Sequence, residues 1–240
     1  MALMTQNLTT IGFDADDTLW ENEHFYKMTQ ERFADLLQDF VDGGDLEARL
    51  LEAERRNLGQ YGFGIKGFVL SMIETAIEIS EERVPAAVIS QLIAAGQEML
   101  RHPIELLPHA EEAVKEISEN HRVLLITKGD LLDQERKLAQ SGLGELFDGV
   151  EIVSAKTSGV YRTIFDRHGD GADRAMMVGN SMASDVRPAL EAGGWGVFVP
   201  HNLTWAVEHA EPPEGHESYH GRYHEIGDLS ALGEIVTQIG

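Results

Sequence analysis

The chain of 240 residues carries 19 basic and 41 acidic side chains, giving a formal net charge of −22, and it contains no cysteine. So negative a protein disfavours nucleic acid and anionic membranes as partners. The lack of cysteine excludes disulfides and cysteine nucleophiles. No basic segment precedes an apolar core at the N-terminus, and no apolar run approaches the roughly 18 residues of a membrane span. We therefore expect a cytoplasmic protein.

A strand and an acidic cluster form the first predicted feature. The short apolar run at 10–13 has no helical period, which predicts a buried strand. Asp14, Asp16 and Asp17 follow it directly. Carboxylates this close repel each other unless a cation lies among them. The end of this strand is therefore a candidate functional site.

An all-helical segment is predicted next, at residues 21–102. Its apolar side chains recur at spacings of three to five in four successive stripes, and nothing in the segment alternates with a period of two. Pro85 fits the first turn of the fourth helix. The first stripe consists of Phe25, Met28, Phe33, Leu36, Leu37 and Phe40.

Beyond residue 103, predicted strands alternate with predicted helices. The strands are 122–127, 150–153, 175–179 and 195–200, and the helices begin near Pro108 and cover 131–141, 162–168 and 185–192. This alternation is typical of a parallel sheet with helices on both faces. The predicted fold is α/β: a Rossmann-like, doubly wound parallel sheet formed by residues 1–20 and 103–240, with the all-helical domain 21–102 inserted after the first strand.

Polar side chains follow four of these strands, at the edge where open α/β sheets bind ligands. The strand ends carry Asp14 and Asp16, then Thr127, Lys128 and Gly129, then Lys156, and finally Asn180 and Asp185. Converging carboxylates suit Mg²⁺, and a lysine can offset an anionic substrate. One carboxylate can attack phosphorus while a second transfers protons. The inventory indicates phosphate chemistry with a divalent cation.

The same residues resemble the motifs of the haloacid dehalogenase superfamily. The segment Asp14 to Thr18 matches the D-x-D-x-T motif of its phosphatase branch at every fixed position. The strand ending in Thr127, then Lys156, then the segment Gly179 to Asp185 follow in the family's order. The likeness spans the whole chain, and the helical insertion corresponds to the family's type-1 cap.

The resemblance implies roles for the acids. Asp14 would be the nucleophile and Asp16 the general acid/base. Mg²⁺ would be held by the Asp14 carboxylate, the Asp16 backbone carbonyl and Asp185. Asn180 stands where the family has an acid. One metal contact would therefore be neutral, and we expect metal binding to be altered rather than lost.

The resemblance also implies how a phosphoryl group is held. Thr127 and the Gly129 amide would hydrogen-bond it, and Lys156 would neutralise charge between it and the nucleophile. Lys128 stands where the family commonly has asparagine, and it would either add a second positive group near the substrate or point away from it. Lys156 is followed by Thr157 rather than the common proline.

The function expected from these features is that of a Mg²⁺-dependent phosphatase acting on a small phosphomonoester, such as a nucleotide, flavin mononucleotide or a sugar phosphate. A 2-haloacid dehalogenase is an alternative within the family, although such enzymes lack an acid at the position of Asp16. A phosphomutase shares the aspartate pair and the cap type. A binding protein on an impaired enzyme scaffold is the alternative that Asn180 suggests.

Overall fold

The computed structural model describes residues 7–40, 46–212 and 221–239. The chain divides into two compact units, which we call the sheet unit and the helical unit. The sheet unit comprises Met1–Glu21, Ile104–Lys128 and Arg136–Gly240, and the helical unit comprises Asn22–Pro103 and Gly129–Glu135. Within the described ranges, none of the helices combines the length and the apolar character that crossing a bilayer requires.

The described part of the sheet unit contains six parallel strands in the order β3-β2-β1-β4-β5-β6. They are β1 Thr10–Phe13, β2 Arg122–Lys128, β3 Gly149–Val153, β4 Ala175–Gly179, β5 Trp195–Phe198 and β6 Tyr223–Glu225. The parallel α/β sheet predicted from the sequence is confirmed. The short strand β6 was not among the predicted elements.

Strand β1 lies at the centre of the sheet, between β2 and β4. Its last residue, Phe13, is in register with Leu125 of β2 and Val178 of β4. All residues of β1 and β4 are buried, as expected for central strands covered on both faces. The strand order reverses at β1, and open α/β sheets bind ligands beyond the carboxyl ends of the strands at such a reversal.

After residue 103, the described residues form five α-helices: α5 Ala110–Ser118, α6 Leu131–Ser141, α7 Ser158–His168, α8 Arg187–Ala192 and α9 Leu232–Ile239. The prediction for α7 began too late, at residue 162. Thr157 caps the helix, since its side chain accepts a hydrogen bond from the Val160 N–H, and this cap starts the helix earlier. The helix predicted from Asp185 is divided into a π-helical turn, Met182–Val186, and α8.

The helical unit is built from α1 Glu23–Leu37, α2 Leu46–Tyr61, α3 Ile65–Ile79 and α4 Ala86–Arg101. These four helices correspond to the four predicted apolar stripes. Pro85 is the N-cap residue of α4 rather than part of its first turn. The core of the unit consists of Phe33, Leu37, Leu50, Ile65, Phe68, Met72, Ala76, Leu92 and Met99.

Candidate active site

The loop that follows β1 turns sharply back on itself. The Asp14 N–H still donates to the Val178 carbonyl of β4 at 2.9 Å, after which the Leu19 N–H donates to the Ala15 carbonyl at 2.8 Å. Asp17 has a φ of 59°, a left-handed conformation that aspartate tolerates better than most residues. This turn keeps Asp14 and Asp16 at the end of the strand.

A buried lysine lies between two buried carboxylates. The Lys156 ammonium donates to Asp14 Oδ1, and it donates to Asp185 Oδ1 at 2.7 Å. The exposed fractions of the three side chains are 1% for Lys156, 11% for Asp14 and 0% for Asp185. Three predicted residues from three different strand ends are therefore brought together.

The electrostatics of this group favour a further positive charge. Burial, reinforced by the charge of Asp185, raises the pKa of Asp14 to about 7. Burial alone would lower the pKa of Lys156, but the attraction of Asp14 and Asp185 raises it instead. One ammonium thus compensates two carboxylates in a place that excludes water. A divalent cation would stabilise the ionised form of Asp14.

Asp185 is positioned by the π-helical turn that carries it. Its Oδ2 accepts a hydrogen bond from the Ser181 N–H at 2.9 Å. A Cβ on Gly179 would lie 2.3 Å from the same oxygen, so the end of β4 must be glycine for the carboxylate to fit. The Tyr161 hydroxyl donates to the Ser184 carbonyl at 3.0 Å and further anchors the turn.

Asn180 lies against two groups predicted to bind the metal. One atom of its side-chain amide is 3.2 Å from Asp14 Oδ2 and 3.3 Å from the Asp16 carbonyl oxygen. If this atom is the amide nitrogen, it donates to both oxygens. That orientation turns each of these contacts into a hydrogen bond, so Asn180 would offer its amide oxygen to a cation only with the amide turned over. The carboxylates of Asp14 and Asp185 and the Asp16 carbonyl are hard oxygen donors of the kind that Mg²⁺ prefers.

The Asp16 side chain is held by two donors from the sheet unit. Its Oδ1 accepts from Trp20 Nε1 at 2.7 Å and from Lys137 Nζ at 2.9 Å. Lys137 lies on α6, and its side chain is only 7% exposed. Sequence reasoning did not single out Lys137, because α6 was interpreted only as a helix that covers the sheet.

Lys128 is paired with an acid that the sequence did not reveal. Its ammonium donates to Glu208 and, at 2.7 Å, to Ser184 Oγ. Glu208 also accepts from Ser181 Oγ at 2.5 Å and from Ser184 Oγ at 2.6 Å. Burial would raise the pKa of Glu208, but Lys128 and the two hydroxyls lower it. The charge of Lys128 is thus compensated by an acid of the sheet unit.

The other two residues predicted to hold substrate are Thr127 and Gly129. Thr127 is buried at the end of β2, and its hydroxyl donates to the Lys128 carbonyl at 3.2 Å. Gly129 has a φ of 136°, which favours glycine. Gly129 packs with the helical unit rather than with the sheet unit, so its predicted contact with a phosphoryl group remains a prediction.

A second cluster of potential metal ligands lies beside Asp17. Ligand atoms of Asp17, Glu21 and His201 all lie within 4.8 Å of one another. His201 Nδ1 is 3.8 Å from Asp17 Oδ1, and His201 Nε2 is 3.5 Å from Glu21 Oε1. Nδ1 also contacts the Leu203 carbonyl oxygen at 2.8 Å. The cluster shares no residue with the group formed by Asp14, Lys156 and Asp185.

A doubly wound parallel sheet with acids and a lysine at its point of strand reversal defines a class of α/β enzymes that act at the strand ends. Residues 8–193 match the family model of the haloacid dehalogenase-like hydrolases. The chain therefore belongs to this hydrolase family, which confirms the resemblance inferred from the four motifs.

Two similar proteins are hydrolases by name. A haloacid dehalogenase-like family hydrolase from Xanthomonas campestris is 39% identical, with a TM-score of 0.85, and the match covers 97% of this chain and 91% of the other. A glyceraldehyde 3-phosphate phosphatase from Methanothermobacter thermautotrophicus is 25% identical over 242 residues, covering 95% of this chain and all of the relative. The second is a distant relative.

The fold is also shared with a dehalogenase. The structure of a 2-haloacid dehalogenase from Pseudomonas syringae pv. tomato is 17% identical, with a TM-score of 0.62 over 97% of this chain and 100% of the other. At that identity the likeness concerns the fold alone. Which reaction this chain catalyses therefore has to be argued from its own site.

Proposed function

We propose that this protein is a Mg²⁺-dependent phosphatase that hydrolyses a small phosphomonoester through an aspartyl-phosphate intermediate. The observation that supports this most is the buried Lys156 ammonium, which contacts both the Asp14 and Asp185 carboxylates. A nucleophilic carboxylate beside a fixed cation suits an anionic substrate, since the cation offsets the repulsion between the carboxylate and the phosphate.

In the first half-reaction an Asp14 carboxylate oxygen attacks phosphorus and forms a P–O bond. The bond between phosphorus and the ester oxygen breaks, and Asp16 gives a proton to the departing oxygen. Lys156 stays within hydrogen-bonding distance of Asp14 and compensates the charge that gathers on the phosphoryl oxygens. Thr127, at the end of the neighbouring strand, is proposed to donate to one of those oxygens.

In the second half-reaction a water molecule attacks the phosphorus of the aspartyl-phosphate. Asp16, now ionised, takes the proton from this water, and the bond between phosphorus and Asp14 breaks. Inorganic phosphate and the free Asp14 carboxylate are the products. The same acid therefore serves in both halves, first as proton donor and then as proton acceptor.

The proposed Mg²⁺ ligands are oxygen atoms of Asp14, Asp16, Asp185 and Asn180, with the backbone carbonyl serving in the case of Asp16. When bound, Mg²⁺ supplies Lewis-acid stabilisation of the phosphoryl oxygens. Mg²⁺ prefers such hard oxygen donors and keeps several waters. Two carboxylates and two neutral oxygens leave room for those waters and for the substrate.

The proposed substrates are phosphomonoesters within the reach of this hydrolase family, together with one suggested by a relative. Nucleotides, flavin mononucleotide and sugar phosphates are the proposed candidates. Glyceraldehyde 3-phosphate joins them because a distant relative is named for that substrate. A screen of phosphorylated metabolites that measures released phosphate, with each ester tested at equal concentration and with Mg²⁺, would rank these candidates.

Replacing the nucleophile tests the mechanism directly. Asp14→Asn should lower the turnover of p-nitrophenyl phosphate with Mg²⁺ by at least about 10³-fold, because an amide cannot form the intermediate. Asp166→Asn, which changes an exposed acid on α7, is the matched control and should leave turnover unchanged. Retained activity in Asp14→Asn would contradict the mechanism.

The alternatives predict other products from the same samples. A dehalogenase would release chloride from 2-chloropropionate without added metal. A phosphomutase would move phosphate between hydroxyls of one sugar without releasing it. A binding protein would be folded yet inactive on all of these compounds with every divalent cation tested. Asp16 favours the phosphatase over the dehalogenase, since only the former needs an acid beside the nucleophile.

A further inference from the structure

The proposed mechanism uses Asp16 but none of the groups that hold it. Asp16 Oδ1 accepts two hydrogen bonds, one from the Trp20 indole at 2.7 Å and one from the Lys137 ammonium at 2.9 Å. Trp20 follows in the turn after β1, whereas Lys137 comes from α6, 121 residues beyond Asp16. Two separate elements thus converge on one oxygen of the proton-transferring acid.

Lys137 is an unusual residue to find in this place. The side chain is 7% exposed, and an ammonium taken out of water is unfavourable unless it is well paired. An apolar residue of similar length would cover the sheet without that cost. The structure therefore places a buried positive charge against Asp16.

The two hydrogen bonds to Oδ1 restrict the rotamer of the Asp16 side chain and so fix the direction in which its carboxyl group points. Proton transfer depends strongly on such orientation, since the acid must reach the ester oxygen in the transition state.

We propose that Lys137 and Trp20 are positioning residues for the general acid/base, and that they act through Asp16 rather than on the substrate. This inference rests on the proposed phosphatase function. It makes α6, a helix with no predicted part in the chemistry, a component of the proton-transfer step. The competing explanation is that the pair only stabilises the fold.

Leaving-group dependence separates these explanations. An alkyl ester, such as glycerol 3-phosphate, expels an alkoxide that needs a proton as the P–O bond breaks. p-Nitrophenyl phosphate expels a stable phenolate that does not. The value of kcat/KM reports only the steps up to this bond cleavage, so a defect in the acid lowers kcat/KM for the alkyl ester alone.

The test compares Lys137→Met with the wild type on both esters, with Mg²⁺. We expect kcat/KM for glycerol 3-phosphate to fall by about 10²-fold, and kcat/KM for p-nitrophenyl phosphate to change less than about threefold. For p-nitrophenyl phosphate, kcat should fall and a burst of nitrophenolate should appear. Hydrolysis of the aspartyl-phosphate still needs Asp16 as the base, so the phosphoenzyme accumulates.

Three further variants complete the design. Lys137→Arg keeps a cationic donor and should recover most of the alkyl-ester activity. Trp20→Phe removes the other donor, and should show the same selective loss even if Lys137→Met fails to fold. Lys115→Met removes an exposed lysine paired with Glu111 on α5 and should behave as the wild type on both esters.

An equal loss on both esters, or no loss on either, in folded Lys137→Met and Trp20→Phe would overturn the inference while the phosphatase function stands. A wild type that hydrolyses neither these esters nor any phosphorylated metabolite would overturn the proposed function itself, and the inference with it.

Discussion

Lys128 and Glu208 form a partly buried ion pair. The exposed fractions are 13% for Lys128 and 16% for Glu208. Removing one member of such a pair takes the opposite charge away from the other member where water reaches it only partly, which costs more than the pair contributes as a unit. We therefore expect Glu208→Gln to lower the free energy of unfolding by about 3 kcal/mol at pH 7.

The pH dependence of this effect follows from the pKa of Glu208, which is lower than usual in the folded protein. Its stabilising contribution is present above the unfolded-state pKa of about 4.3 and disappears as pH falls through the folded-state pKa. Urea denaturation of both proteins between pH 7 and pH 3 should show the difference shrinking. Glu111→Gln, an exposed control, should change stability by less than about 0.5 kcal/mol.

The residues of the site were predictable to different degrees. Asp14, Thr127 and Asp185 were predicted because they stand at or just beyond strand ends, where parallel sheets bring side chains together. Glu208 and Lys137 were not, since Glu208 lies in a turn beyond β5 and Lys137 on α6, a helix whose apolar pattern shows only its covering role. Their positions depend on tertiary packing, and spacing along the chain does not encode it.

Helices α3 and α4 approach closely at a glycine. A Cβ on Gly96 would lie 2.3 Å from Cγ2 of Val69, and a valine on a helix has little rotamer freedom with which to yield. Gly96→Ala should therefore lower the free energy of unfolding by about 1–3 kcal/mol. Thermal or urea unfolding of the purified variant measures the change.

Gly59 provides the matched control for the Gly96→Ala variant. It lies in α2, and a Cβ there would meet nothing within 4 Å. Gly59→Ala should stabilise the protein by about 0.5–1 kcal/mol through helix propensity alone. If both alanine variants were stabilising, the close approach of α3 and α4 at Gly96 would be wrong.

The elements show where the sequence predicts the fold and where it does not. Strand β4 has the predicted bounds because a continuous apolar run delimits it. Helix α6 has them because Gly142 follows its last turn. Strand β6 covers only Tyr223–Glu225, too short for any period to appear. The π-helical turn that carries Asp185 also has no sequence signal of its own.

At the scale of the whole molecule, the net charge of −22 affects how any cation acts. Added salt of any kind screens the mutual repulsion of the acids and so stabilises the folded chain. A specific Mg²⁺ effect must therefore be separated from this general one. Keeping the ionic strength constant with NaCl while Mg²⁺ is varied achieves the separation.

Under those conditions, Mg²⁺ should raise the melting temperature of the wild type, because a ligand that binds only the folded state stabilises that state. At a free ligand concentration of 100 times the dissociation constant, the stabilisation is about 2.7 kcal/mol. Asp185→Asn should lose most of this increase, since a charged ligand becomes neutral. Asn180→Asp should reach the same increase at lower Mg²⁺, because a neutral ligand becomes charged. Differential scanning calorimetry measures each variant with and without Mg²⁺. An equal Mg²⁺ effect in all three proteins would place the cation elsewhere, with the cluster of Asp17, Glu21 and His201 as the next site to test.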